Sequence, residues 1–316
     1  MKVAFHSQFL TERGSEGAML DYARLNRSVL GNESLICLPH KPDLAGHPIL
    51  KKWQEEFVVM FYTSKNELGR KLAHENVEVV YLTKPGPWDG FLVPGLKNCV
   101  HAQFLCDEFH GDAYAYLSPW MSNVMTGRKS SFVPFFVPRL QSPYNLRPKL
   151  GIPHHAKVFG RHGGWDTFNI PFVHEAVRRH AQMHPEDHFV FLNTKPLRGT
   201  GKMKNIHYLP ATVEPGEKAA FLGTCDAMLH ARWHGETFGM AVGEFAILGK
   251  PVLTYAGSRE QAHLEMLGSE ALRYHDGTGL RKILSQFQKT ATGRTLYHDF
   301  GEPRRVMEFF REKFLS

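Results

Sequence analysis

Two glutamates eight positions apart, Glu236 and Glu244, stand in the stretch 226–257, DAMLHARWHGETFGMAVGEFAILGKPVLTYAG. Carboxylates accept hydrogen bonds from sugar or ribose hydroxyls. The residues between them, Thr237-Phe238-Gly239-Met240, read as a loop passing into a helix, whose first N–H groups can hold an anion such as a diphosphate. Gly239 lets a ligand come close to the backbone. Glu236 then precedes the helix and Glu244 lies about two turns inside it, while Gly249-Lys250-Pro251 ends the helix and opens a strand. Taken alone, the same spacing also fits a helix with an acidic residue near its dipole and a glutamate on its surface.

Other chemistries find less support. Arg198-Gly199-Thr200-Gly201-Lys202 has the look of a phosphate loop, but Pro196 and Met203 occupy positions that a Walker loop gives to Gly and to Ser or Thr. No G-x-G-x-x-G and no G-x-S-x-G is present. His230 and His234 near Glu236 have the spacing of a helical metal site, yet Gly235 interrupts any helix there, and no metal is expected.

The elements that must position these residues alternate between strand and helix in two blocks. In the first, strands are expected at 3–5, 35–38, 57–62, 77–82 and 100–105, with helices at 18–30 and 66–74 and a Gly-containing loop, Arg13-Gly14-Ser15-Glu16-Gly17, between the first strand and helix. Residues 133–153 hold five of the chain's 19 prolines and read as a connector. The second block offers strands near 157–160, 189–192, 206–209, 227–230 and 251–255, and helices at 170–184, 217–222 and from about 238. Apolar Val306, Met307, Phe309, Phe310 and Phe314 mark an amphipathic terminal helix. The expected fold class is α/β, with two doubly wound domains. Their expected bounds are 1–140 and 141–300, with the helix of 301–316 packing back on the first.

With 316 residues, 42% of them apolar, the chain is long enough for two cores. No run approaches the roughly 18 apolar residues of a membrane span, and the first residues read as a buried strand rather than a signal. Four scattered cysteines without a C-x-x-C pair suit a reducing cytoplasm. The net charge of +7 is spread evenly: Lys and Arg outnumber Asp and Glu by 17 to 14 in residues 1–150 and by 21 to 17 thereafter. That distribution argues against nucleic acid, which needs a concentrated basic stripe. It leaves room for an anionic small substrate or a peripheral position on an acidic membrane.

Glu236-Thr237-Phe238-Gly239, Glu244 and Gly249-Lys250-Pro251-Val252 together resemble the E-x-F-G segment of the retaining GT-B glycosyltransferases of family 4. Residues 146–153 followed by Val158-Phe159-Gly160-Arg161 look like that family's entry into its nucleotide-binding domain, so the resemblance spans about 140–268. It implies a GT-B fold of two Rossmann-like domains facing a cleft. The implied activity is metal-independent sugar transfer from a UDP- or GDP-linked donor, with retained configuration, to a glycan, lipid-linked or protein-linked hydroxyl. No cofactor beyond this co-substrate is implied. By the same resemblance Glu236 contacts the donor sugar, Glu244 holds the ribose, and Phe238, Gly239 and Met240 present backbone donors. Arg161 stabilises the diphosphate, Gly14 belongs to a loop near the donor, and His101 lines the reaction centre, with His110 as its rival. The family's lysine five or six residues after the arginine is missing, since Asp166 and Thr167 stand there. Lys195 is the first substitute, with Arg198 and Lys202 as alternates. A sugar-nucleotide epimerase or hydrolase and a non-catalytic nucleotide-binding protein are the competing readings.

Overall fold

A computed structural model describes all 316 residues except 9, 11–13, 42–47 and 129. The chain divides into two compact units, one formed by 1–136 with 302–316 and the other by 137–301.

The first unit is built on strands β1 (Lys2–His6), β2 (Glu33–Pro39), β3 (Val59–Tyr62), β4 (Val79–Lys84), β5 (Lys97–Ala102) and β6 (Ala113–Tyr116). They form one parallel sheet in the order β3-β2-β1-β4-β5-β6. Helices α1 (Gly14–Ser28), α2 (Pro48–Glu56), α3 (Lys65–His74) and α4 (Pro119–Thr126) make the connections. Strands buried on both faces read as nearly unbroken apolar runs, which is why β1, β2 and β4 were visible in the sequence. In β6 the run Ala-Tyr-Ala-Tyr is only half buried and was not anticipated. Helix α1 also begins four residues earlier than expected, at Gly14, and so takes in Gly14–Gly17, expected as loop. Burial of Ala18, Met19, Leu20, Tyr22 and Ala23 along one side of that helix outweighs a cost of about 1 kcal/mol for each helical glycine. Arg13 of that expected loop lies outside the described residues.

The second unit repeats the plan. Strands β7 (Val158–Arg161), β8 (His188–Leu192), β9 (Ile206–Leu209), β10 (Ala227–His230), β11 (Gly235–Glu236), β12 (Val252–Tyr255), β13 (Glu260–Gln261) and β14 (Ala271–Tyr274) follow one another. Six of them form a parallel sheet in the order β14-β12-β10-β7-β8-β9, and β11 pairs with β13. Helices α5 (Arg147–Leu150), α6 (Pro171–Met183), α7 (Pro215–Thr224), α8 (Met240–Ala246), α9 (Ala262–Leu267), α10 (Gly277–Gln286) and α11 (Leu296–Phe300) complete it. In each unit the first and fourth long strands lie side by side at the centre, the doubly wound pattern.

The chain then returns to the first unit as α12 (Pro303–Phe310), extended by a wide turn over Arg311–Leu315. Phe310 packs against Phe5, Tyr22 and Tyr81 with ring centroids 6.1, 5.0 and 5.5 Å apart. Among the described residues no helix is long and apolar enough to cross a membrane, and all four cysteines are buried and unpaired.

Two histidines of the first unit make it acid-sensitive. Burial, reinforced by the charge of Lys84, pushes His6 down to about 3, and burial pushes His101 down to about 3 against its backbone hydrogen bonds. A folded pKa below the unfolded value of about 6.5 means that the unfolded chain binds more protons between the two values. Stability is therefore full above pH 6.5 and falls as the pH drops towards 3, by about 1.4 kcal/mol per pH unit for each histidine. Denaturant midpoints measured at pH 7.5 and pH 5 should differ accordingly, and equal midpoints would contradict the assignment.

Candidate active site

The second sheet changes direction between β7 and β10, whose carboxyl ends adjoin, and open α/β sheets form their ligand crevice at such a point. Arg161 is the last residue of β7 and His230 the last of β10. Directly after β10 the chain turns through Arg232 into β11, whose second residue is Glu236.

Glu236 is held from two sides. Arg232 Nη1 donates to its Oε2 at 2.8 Å, and His230 Nε2 lies 3.2 Å from Oε1. The other nitrogen of His230 is bonded to Thr254 Oγ1 at 2.8 Å, so neither ring nitrogen is left for a metal. Burial pushes the Glu236 carboxyl up, but the hydrogen bonds and charges of His230 and Arg232 prevail and hold it below the usual carboxylate range. The group is ionised at neutral pH, and its side chain keeps 20% of its surface exposed.

Arg161 is 4% exposed and deeply engaged. Its Nη1 donates to Asn193 O at 3.0 Å and Thr194 Oγ1 at 2.6 Å, and its Nη2 to Gly164 O at 2.8 Å and Thr167 Oγ1 at 2.5 Å. Among the described residues no carboxylate reaches within ion-pair distance of it. Burial lowers it to about 10, moderated by the field of Glu236 and reinforced by that of Arg232. The Arg161 guanidinium thus braces the loop after β7 against the end of β8. Thr167, one of the two positions without the family's lysine, is part of that brace.

Glu244 lies on α8 and is 1% exposed. The helix starts at Met240, later than expected, so Glu244 sits one turn inside it rather than two. Its Oε1 accepts from Lys218 Nζ at 2.5 Å. His162 Nε2 is 2.9 Å from Oε2, within ion-pair distance. Burial raises the Glu244 carboxyl, and Lys218 with His162 overcomes this, bringing it down to about 2.

Between the two glutamates the chain is shaped by sterics. Gly239 adopts φ +83°, and a Cβ there would meet Tyr297 Oη at 3.0 Å and the Glu236 side chain at 3.2 Å. Phe238 is buried against Phe300 and Tyr297, and its carbonyl accepts from Tyr297 Oη at 2.6 Å. Met240, half-buried, opens α8.

The other expected residues fall elsewhere. Lys195 follows Thr194, which holds Arg161, but its own side chain is exposed and makes no hydrogen bond or ion pair among the described residues; the same is true of Arg198 and Lys202. Gly14 is the exposed first residue of α1. His101, expected at a reaction centre, is a core residue with no exposed surface. Its Nδ1 is 2.6 Å from Tyr81 Oη and its Nε2 2.9 Å from Val133 O, so no ring atom remains for a ligand. Its rival His110 caps the Glu108 carbonyl and lies 3.3 Å from Lys84 Nζ. Sequence reasoning overlooked Arg232, Lys218 and His162. Arg232 carried one signal, four residues before Glu236, but that spacing has meaning only on a helix.

The two six-stranded parallel sheets, each with a central reversal and flanking helices, agree with solved structures over nearly the whole chain. The chain has the GT-B fold. HepE of Anabaena in complex with UDP-glucose matches at 16% identity with a TM-score of 0.64, over 99% of this chain and 95% of that one. WaaG, a glycosyltransferase involved in lipopolysaccharide biosynthesis, matches at 14% and 0.60 over 96% and 94%. The same GT-B plan also aligns with a UDP-GlcNAc 2-epimerase from Neisseria meningitidis bound to UDP-GlcNAc, at 11% and 0.61 over 99% and 100%. No protein-family model and no curated protein matches the sequence.

Proposed function

We propose that the protein is a retaining, metal-independent glycosyltransferase that moves a sugar from a nucleotide-sugar donor to a hydroxyl acceptor. The reading is carried by one observation: an ionised Glu236 in an E-x-F-G segment, paired with the guanidinium of Arg232 and within the field of that of Arg161, at the reversal point of a GT-B sheet. The donor is a UDP- or GDP-sugar, and the acceptor a glycan, a lipid-linked glycan or a protein-linked glycan. A cytoplasmic enzyme, peripheral on the inner face of a membrane, suits those acceptors.

Glu236 accepts hydrogen bonds from the donor sugar, Glu244 faces the ribose, and the backbone of Phe238, Gly239 and Met240 lies along the sugar and phosphates. The bond between the anomeric carbon and the phosphate oxygen breaks as the acceptor oxygen bonds to that carbon from the same face, and the acceptor's proton passes to the departing phosphate oxygen. Positioning and stabilisation of the leaving diphosphate are then the protein's contribution, and Arg161 contributes its charge. Lys195 and Gly14 are secondary donor-side candidates.

The epimerase of the same fold keeps a second reading open, in which the sugar nucleotide itself is the product. Calorimetric titration with UDP, GDP and ADP, followed by product analysis with and without acceptor, tests both. Binding together with acceptor-dependent transfer supports the transferase, whereas an inverted sugar nucleotide formed without acceptor supports the epimerase. Absence of binding at millimolar nucleotide would sink the proposal.

A further inference from the structure

We infer that Arg232 is the second cation of the donor site, binding the phosphate that bears the sugar while it holds Glu236 in place; this rests on the glycosyltransferase reading. A diphosphate leaving group needs more than one strong donor, and the loop that follows Arg161 at the end of β7 carries no Lys or Arg. Four of the five N–H donors of Arg161 are spent on Asn193, Thr194, Gly164 and Thr167, which leaves the Nε–H alone. Arg232 is the reverse case. Among the described residues it makes one side-chain hydrogen bond, from Nη1 to Glu236, which leaves four N–H donors unspent there, and its side chain is 31% exposed.

The geometry suits the ligand's covalent structure. In a sugar nucleotide the sugar and its phosphate share one oxygen, so groups that recognise them must be adjacent. A guanidinium with one edge on the Glu236 carboxylate can turn its other edge to a phosphate, and arginine is the residue built for such forked contact. The competing carboxylate in the field of Arg232 is Glu260, and burial pushes that carboxyl up, which weakens its claim. Exposed Lys195, by contrast, has no partner among the described residues to orient it.

The test compares a nucleoside diphosphate with the matching monophosphate, using whichever of uridine, guanosine and adenosine the wild-type protein prefers. Arg232→Ala should weaken diphosphate binding by about 30- to 100-fold and monophosphate binding by less than about 3-fold, the worth of one charge-assisted phosphate contact. Arg232→Lys, which keeps the charge but not the fork, should lose only about 5- to 10-fold for the diphosphate, and it carries the test if the alanine variant does not fold. Lys195→Ala tests the rival assignment, and a loss larger than that of Arg232→Ala would place the second cation there. Equal losses for both nucleotides, which a purely structural role would produce, overturn the inference. So does unchanged diphosphate binding, or a loss that appears with Lys195→Ala instead. Failure of the wild-type protein to bind any nucleotide overturns the glycosyltransferase reading itself, and is thereby distinct from failure of this inference alone.

Discussion

Glu236→Gln is expected to lower sugar transfer by about 100- to 1000-fold, the usual cost of losing one electrostatic contact made to a reacting centre. The substitution keeps the size of the side chain and removes its charge. His230 at 3.2 Å and Arg232 at 2.8 Å hold the glutamate in its ionised form, so in the proposed donor complex it would meet the sugar hydroxyls as an acceptor on both oxygens. A glutamine amide keeps one acceptor oxygen and must turn its NH2 towards one of those two partners. The substitution also removes the larger of the two carboxylate fields, those of Glu236 and Asp166, that offset the buried charge of Arg161. Because Glu236 is partly exposed, the cost to stability is smaller, a shift of a few degrees in melting temperature at most. Initial rates at saturating donor and acceptor, set beside a melting curve, separate the two effects. Undiminished turnover would remove Glu236 from the reaction.

Gly235→Ala is expected to destabilise the second unit by roughly 3–5 kcal/mol, combining a strained backbone with overpacking. Gly235 adopts φ +76°, and a Cβ built there falls 1.9 Å from Glu260 O and 2.8 Å from Ser258 Cβ. Neither neighbour can retreat without breaking the pairing of β11 with β13, which places Glu236. Nucleotide binding should therefore fall together with the melting temperature. Gly151→Ala is the control. Its φ is +64° with nothing within 4 Å of the added methyl group, so only the backbone cost of about 1–2 kcal/mol applies. If the two variants melt alike, the steric account of Gly235 is wrong.

The parts of this chain that were legible in its sequence are those where one local rule acts without competition. Strands β2, β4, β8 and β12 are buried on both faces, so their apolar runs stand out at any register. The terminal helix announced itself through the spacing of Val306, Met307, Phe310 and Phe314, all of which are buried. The start of α1 was missed because two glycines argue for a loop by propensity, while the burial that outweighs them depends on neighbours far away in sequence. His101 shows the same limit from the other side. A histidine at the end of a strand looks available, and only the positions of Tyr81 and Val133 reveal that both its nitrogens are taken.

The sequence by itself determined the α/β alternation, the E-x-F-G segment and the two glutamates that begin and follow it, because residue type and spacing along one strand–loop–helix stretch carry that information. Only the tertiary structure decided which charges those glutamates meet. Arg161 is brought into the field of Glu236 by the adjacency of β7 and β10, whose last residues are 69 apart in sequence, and Lys218 reaches Glu244 across 26 residues. The physical reason is that charges interact through space while a motif is read along the chain. The donors left unspent on Arg232, and those spent on Arg161, can be counted only once the chain has folded.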